Sequence, residues 1–204
     1  MVGPDFDFSA SPVLATMPDG RQMIAATQKS GLAYGLDPED GGKLLWTFRW
    51  GKGSGIGGVW GAASDGQRAF FAVADVGSEQ AGGVHAVDLL TGEPEWFAPP
   101  QDLLCAAGPG CSAVQSAALT AIPGAVFSGG QDGGMRAYDS ETGALIWTFD
   151  ANREFETVNG VAGNGGSFDG PGPVVADGMV FMTSGNGGFV GRPGNVLLAF
   201  EPAE

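Results

Sequence analysis

The chain has 204 residues, 37 of them Gly and 13 Pro, and carries a formal net charge of −14 from 9 basic and 23 acidic side chains. That balance argues against nucleic-acid binding, because neutralising phosphates needs clustered Lys and Arg, and an anionic membrane surface repels it. A hydrophobic share of 43% argues against disorder, so the Gly and Pro content is expected as turns between many short strands.

The opening Met1-Val2-Gly3-Pro4-Asp5-Phe6-Asp7 lacks the basic and apolar regions of a signal peptide. No apolar run reaches the roughly 18 residues that would span a membrane. Gly-containing pairs then recur between apolar runs: Asp19-Gly20, Asp65-Gly66, Pro123-Gly124 and Asp177-Gly178. They read as hairpin turns, because Gly takes positive φ without a steric penalty. Gln28-Lys29-Ser30-Gly31 and Gln131-Asp132-Gly133-Gly134 mark a second hairpin within their units. A third turn follows each: Asp37 to Gly42, Asp88-Leu89-Leu90-Thr91-Gly92, and Asp139-Ser140-Glu141-Thr142-Gly143. There the Asp side chain caps the backbone and Gly takes the left-handed position.

Asp37, Asp88 and Asp139 recur at an interval of 51 residues, followed by Trp46, Trp96 and Trp147. Ala199-Phe200-Glu201 opens a fourth copy that has no Trp after it. A unit of this size holds four short antiparallel strands and must stack on its neighbours to bury its faces. The expected fold is all-β, a β-propeller of about four four-stranded blades spanning roughly 9–50, 58–97, 115–150 and 170–204, within one partial domain over 1–204. The last blade is expected to be incomplete. A β-solenoid has shorter repeats, and a closed four-bladed ring needs a closing strand. The recurring Trp residues are expected between blades.

Cys105 and Cys111 bracket Ala-Ala-Gly-Pro-Gly. The spacing suits no zinc or haem motif, which leaves a short disulfide loop or two free thiols. His85 is expected at a strand edge. Asp5, and the charged stretch Arg153, Glu154 and Glu156, are expected to be solvated.

The Ala-x-Asp-x-x-Thr-Gly-x-x-x-Trp repeat resembles the tryptophan-docking motif of quinoprotein dehydrogenases, eight-bladed propellers that bind pyrroloquinoline quinone (PQQ). The stretch from Val126 to Asp139 looks like a late blade of that family. Phe6-Asp7-Phe8-Ser9, Arg153 to Gly160, Gly170-Pro171-Gly172-Pro173 and Gly194 to Phe200 are similar to its polyvinyl-alcohol dehydrogenase branch. The resemblance implies the C-terminal half of a PQQ-dependent alcohol dehydrogenase, inactive alone. Its substrate would be an alcohol, possibly a polymeric secondary one, and its acceptor a cytochrome c or similar carrier. Missing N-terminal blades or a second copy would complete it, in the periplasm or outside the cell. By the same resemblance, Asp7 is the catalytic base and a metal ligand, and Lys29 bonds the quinone oxygens. Ser9, two residues after Asp7, stands where lanthanide-type relatives have a second Asp, which favours Ca²⁺. The other metal ligands would lie outside the chain. Trp60 and Asp169, at the lead-ins to inner strands, are further cofactor-binding candidates, with turn or packing roles as the alternative. Asn186 resembles a metal-ligand Asn but falls in the wrong blade. The alternative function is a non-catalytic propeller scaffold that binds protein partners in the cell envelope.

Overall fold

The computed structural model describes residues 4–55, 60–185 and 191–202. Asn186 lies outside them. Strands β1 (Val13–Thr16), β2 (Gln22–Gln28), β3 (Leu32–Asp37) and β4 (Lys43–Arg49) form the first sheet, antiparallel and in sequence order. The second holds β5 (Ala63–Ser64), β6 (Arg68–Ala72), β7 (Val84–Asp88) and β8 (Pro94–Ala98). The third holds β9 (Thr120–Ile122), β10 (Ala125–Gly129), β11 (Gly134–Asp139) and β12 (Leu145–Asp150). A short hairpin follows, β13 (Glu154–Phe155) with β14 (Gly163–Asn164), in the stretch expected to be a solvated loop. The fourth sheet has three strands among the described residues: β15 (Val174–Ala176), β16 (Met179–Ser184) and β17 (Val196–Phe200). The all-β propeller architecture expected from the repeat is present.

The three largest hydrophobic clusters each join sheets that follow one another in sequence, and a smaller one gathers the loop residues Ala74, Ala81 and Val114. Met23, Ala25 and Trp46 of the first sheet pack on Ala69, Phe71 and Val87 of the second. Phe70, Val84 and Ala86 of the second pack on Val126 and Tyr138 of the third. Phe127, Met135 and Ala137 of the third pack on Met182, Val196 and Leu198 of the fourth. Alternation along each strand sends one set of side chains to each neighbour.

The recurring Trp residues fasten two of these junctions. The Trp46 indole N–H donates to the Leu89 carbonyl at 3.0 Å, and the Trp96 indole to the Ser140 carbonyl at 3.1 Å. In both cases the acceptor is the residue after the repeat Asp. The indole lies over the turn Gly: a Cβ on Gly92 or Gly143 would come within 2.6 Å of the ring. Both glycines also have positive φ, 72° in each case. The turn is self-contained, since Asp88 Oδ1 accepts the Leu90 and Thr91 N–H groups and the Thr91 hydroxyl, and Asp139 repeats this pattern one sheet later. A register shift falls just before the repeat Asp in all three sheets, between Gly35 and Leu36, Ala86 and Val87, and Ala137 and Tyr138. The extra residues, Leu45, Glu95 and Ile146, fall in the strands that carry the Trp, and a bulge bends the strand that holds it. Trp147 instead meets Phe200 edge-on at 5.0 Å.

His85 departs from expectation. It sits in β7, the third strand of its sheet, with Phe97 stacked at 4.2 Å and Phe48 of the first sheet edge-on at 5.4 Å.

Candidate functional site

In each of the first three sheets, the hairpin between the second and third strands reaches the same end as the lead-in to the first strand. In the first sheet this brings Lys29 to Asp7, with the Lys29 N–H donating to the Asp7 carbonyl at 3.1 Å. The Lys29 ammonium lies 3.0 Å from Asp5 Oδ2 and 3.1 Å from Asp7 Oδ1. The lysine is buried, at 8% exposure, while both carboxylates face solvent. Hydrogen bonds from the ammonium to Asp5, then Asp7, raise its pKa above the ordinary lysine value. Asp5 therefore belongs to the cluster rather than standing alone in solvent.

The surroundings hold this hairpin tip in place. The Ser54 N–H donates to the Lys29 carbonyl at 3.0 Å, and the Arg49 guanidinium donates to the Ser30 and Gly51 carbonyls. Tyr34 and Ser30 hydroxyls both donate to Gln28 Oε1, and Phe8 packs on Tyr34 at 5.4 Å. Asp75, buried and at a φ of 37°, accepts the Lys52 and Gly53 N–H groups at 2.7 and 3.0 Å. Its strained backbone clamps the loop that follows Trp50.

A second polar network lies at the same end of the third and fourth sheets. Ser116 Oγ donates to Asp169 Oδ1 at 2.7 Å, and the Gly170 N–H donates to the same oxygen. Gln131, also buried, accepts the Ser112 hydroxyl and has its carbonyl bonded by the Ser167 hydroxyl at 2.6 Å. Asp169 thus has Ser116 and the Gly170 N–H among its partners. Trp60 is 48% exposed.

A strand-free loop runs from Pro99 to Ala113, in which Cys105 and Cys111 are joined as a disulfide with their Cα atoms 5.9 Å apart. Its anchor is the buried Asp132–Arg136 pair, which lies in the second hairpin of its own sheet. Arg136 Nη2 donates to the Asp102 carbonyl, and Asp132 Oδ2 accepts the Leu104 N–H. Nothing in the sequence spacing singled out this pair. A cavity of about 470 Å³ opens between the loop and the β6–β7 connection, lined by Glu79, Cys111, Ser112 and Gln131 among others.

These residues can be tested against a quinone and its metal. A buried ammonium suits quinone oxygens that gain charge on reduction, and the hydroxyl of Ser54, whose N–H bonds the Lys29 carbonyl, is buried without a partner among the described residues. Calcium takes 6–8 oxygen ligands, and among the described residues no three His, Cys, Asp or Glu side chains come together. The described residues therefore fit one wall of a quinone site and not a whole calcium site. No helix of the described residues is long and apolar enough to cross a membrane.

The family model for PQQ_2 repeats, described as outer membrane protein assembly factor BamB, matches residues 28–159 and again 80–201. A polyvinylalcohol dehydrogenase of Pseudomonas sp is 40% identical over 98% of the chain, and one of Sphingopyxis sp. (strain 113P3) is 37% identical over the same share. The chain spans about a third of the length of these curated relatives, 33% in each case. Among solved structures, BamB from Moraxella catarrhalis has a TM-score of 0.60 at 18% identity, with 95% of this chain and 46% of that one aligned. Quinohemoprotein alcohol dehydrogenase ADHIIG from Pseudomonas putida HK5 has a TM-score of 0.62 at 17% identity, with 91% and 29% aligned. With 51-residue units, docked Trp residues and a family match over most of its length, the chain belongs to the PQQ-type β-propeller repeat family.

Proposed function

We propose that the chain forms part of the propeller of a PQQ-dependent dehydrogenase acting on alcohols, polymeric secondary alcohols included. The observation that carries this reading is the cluster of Asp5, Asp7 and buried Lys29 at the lead-in to the first inner strand, in a chain 37–40% identical to polyvinylalcohol dehydrogenases. When bound, the quinone supplies an acceptor for the two electrons of alcohol oxidation. Asp7 takes the hydroxyl proton on its carboxylate. Lys29 holds that carboxylate in place and offers its N–H groups to the quinone oxygens, and Asp5 keeps the ammonium charged. Asp7 would be one ligand of a calcium ion, whose Lewis acidity would polarise the quinone, and the other ligands would come from protein beyond these residues. Trp60 and Asp169 act as cofactor contacts at the lead-ins to the second and fourth sheets. The site faces the periplasm or the cell exterior, and a cytochrome c or similar carrier takes the electrons.

The test follows dye reduction by the whole protein that contains this chain, with PQQ, Ca²⁺ and poly(vinyl alcohol). Asp7→Asn is expected to slow turnover about 10²–10⁴-fold, and the 204-residue chain alone to give none. Full turnover by Asp7→Asn overturns the assignment of the base. A second reading, a non-catalytic envelope scaffold for protein partners, draws on the family description and the fold shared with BamB. It predicts no quinone affinity, which titration of PQQ against the same protein decides.

A further inference from the structure

A cavity of about 540 Å³ opens between the first two sheets, at the end where the Lys29 hairpin lies. That size is ordinary for a small-ligand site. Its wall is aromatic. Trp50, 2% exposed, belongs to the core between the sheets, while Phe97 stacks on His85 at 4.2 Å and remains 47% exposed. A Cβ on Gly83 would come 2.6 Å from the Phe97 ring, so the ring rests directly on the backbone that leads into β7. The indoles of Trp46 and Trp96 each have a carbonyl acceptor. The Trp50 indole N–H is buried with no partner among the described residues. An unpaired buried donor costs free energy, which an acceptor brought by a ligand restores.

The charges around the cavity select no ionic ligand. Arg49 donates to the Ser30 and Gly51 carbonyls, and Asp75 accepts the Lys52 and Gly53 N–H groups. The exposed rim adds one charge of each sign, Lys52 and Glu79, and the amide of Gln80. His85, whose pKa burial lowers to about 4, is uncharged at neutral pH. Such a lining suits a neutral chain, apolar along its backbone and bearing hydroxyls. One loop joins the cavity to the Lys29 tip. The Trp50 N–H donates to the Gly31 carbonyl at 2.9 Å and the Ser54 N–H to the Lys29 carbonyl at 3.0 Å. Lys52 lines the cavity, and its Cα is at most about 7 Å of chain from that of Ser54.

We infer that this cavity is a remote subsite for a polymeric alcohol, holding a stretch of polymer a few repeats away from the hydroxyl that Asp7 deprotonates. The methylene backbone lies on Phe97 and Pro100. One hydroxyl oxygen accepts the Trp50 N–H, and others bond the Gln80 amide and the Glu79 carboxylate at the rim. A monomeric alcohol is too short to occupy both places. Contacts far from the reacting carbon therefore favour the polymer, and Trp50 and Phe97 become the residues that distinguish it from a small alcohol. The inference rests on the dehydrogenase reading for the identity of the ligand.

The test uses the whole protein that contains this chain and two variants. Phe97→Ala alters only the exposed rim, and Trp50→Phe keeps a ring but removes the N–H. Calorimetry without PQQ reads the binding of short poly(vinyl alcohol). Kinetics with PQQ and Ca²⁺ read kcat/KM for the polymer divided by kcat/KM for isopropanol. Both the affinity and the ratio are expected to fall about five- to tenfold in each variant. An affinity or a ratio that holds in Phe97→Ala overturns the proposal, and so does binding that Trp50→Phe leaves unchanged. The two readings fail separately, because the calorimetry involves no turnover. Binding that weakens in the variants of a parent that oxidises no alcohol ends the dehydrogenase reading and leaves the subsite. Turnover by the parent with unaltered binding in the variants ends the subsite alone.

Discussion

Arg136 grips Asp132 with two nitrogens, Nη1 on Oδ1 at 3.1 Å and Nη2 on Oδ2 at 2.5 Å, with side chains only 4% and 3% exposed. A pair this buried gains little over an apolar replacement of both members, but removing one member strands the other. Here both members also hold backbone groups. Asp132 accepts the Gly134 and Leu104 N–H groups, and Arg136 donates to the Asp102 carbonyl.

Arg136→Met is therefore expected to destabilise the fold by about 3–5 kcal/mol, and to loosen the disulfide loop first. Urea denaturation reads the first effect. Hydrogen exchange over residues 101–113 reads the second, and an unchanged loop would show that the ion pair is not its anchor.

The Trp junctions make a graded prediction. Trp96→Phe keeps a ring over Gly143 but loses the bond to the Ser140 carbonyl, costing about 1 kcal/mol. Trp96→Ala also opens a cavity and costs about 3–5 kcal/mol. Gly143→Ala brings a methyl into the indole at a residue of positive φ, so it is expected to destabilise, whereas Gly41→Ala meets only the backbone penalty. Thermal denaturation of the four variants should rank them in that way.

The spacing of Asp37, Asp88 and Asp139 made these junctions legible, because one turn chemistry recurs at one interval and only docking explains the Trp that follows. Lys29 and Asp7 were singled out by the family resemblance, through the Phe6-Asp7-Phe8 motif and the hairpin slot of Lys29, and the structure brings the two side chains into an ion pair. Asp5 was not, since nothing in a sequence says that an exposed carboxylate reaches back to a lysine 24 residues on. The grip of Arg136 and Asp132 on the loop was hidden for a similar reason: it joins a hairpin tip to a segment about 30 residues earlier. The β13–β14 hairpin was missed because two-residue strands carry no alternation to read. His85 was misplaced because alternation tells which face a strand residue takes, but not whether its strand lies at the edge.

His85 gives the chain an acid sensitivity. Burial between Phe48 and Phe97 pushes its pKa down from 6.5 to about 4, against a smaller upward pull from a hydrogen bond to the Trp50 backbone. The unfolded chain thus binds the proton more readily. The stability held by the neutral ring is complete above pH 6.5 and is lost as pH falls towards 4. Denaturation midpoints at pH 7 and pH 5 should differ for the native protein, and His85→Phe should narrow that difference.

The disulfide closes a loop with a sequence separation of 6, small enough that its removal is expected to cost only roughly 2 kcal/mol. Cys105→Ser with Cys111→Ser should therefore lower the melting temperature by about 4–8 °C, less than Arg136→Met does. A larger loss would make the covalent link, rather than the ion pair, the main support of the loop.

Each of the three largest core clusters joins two successive sheets. Stability in such an arrangement approximates a sum of unit and nearest-neighbour terms, so the molecule behaves as a zipper with two free ends. Damage to one junction stays local, and opening begins at the outer sheets. Protection from exchange should then be greatest at β6, β7, β10 and β11, the strands with a neighbour on both faces. An added sheet at either end would slow exchange most in the sheet it covers.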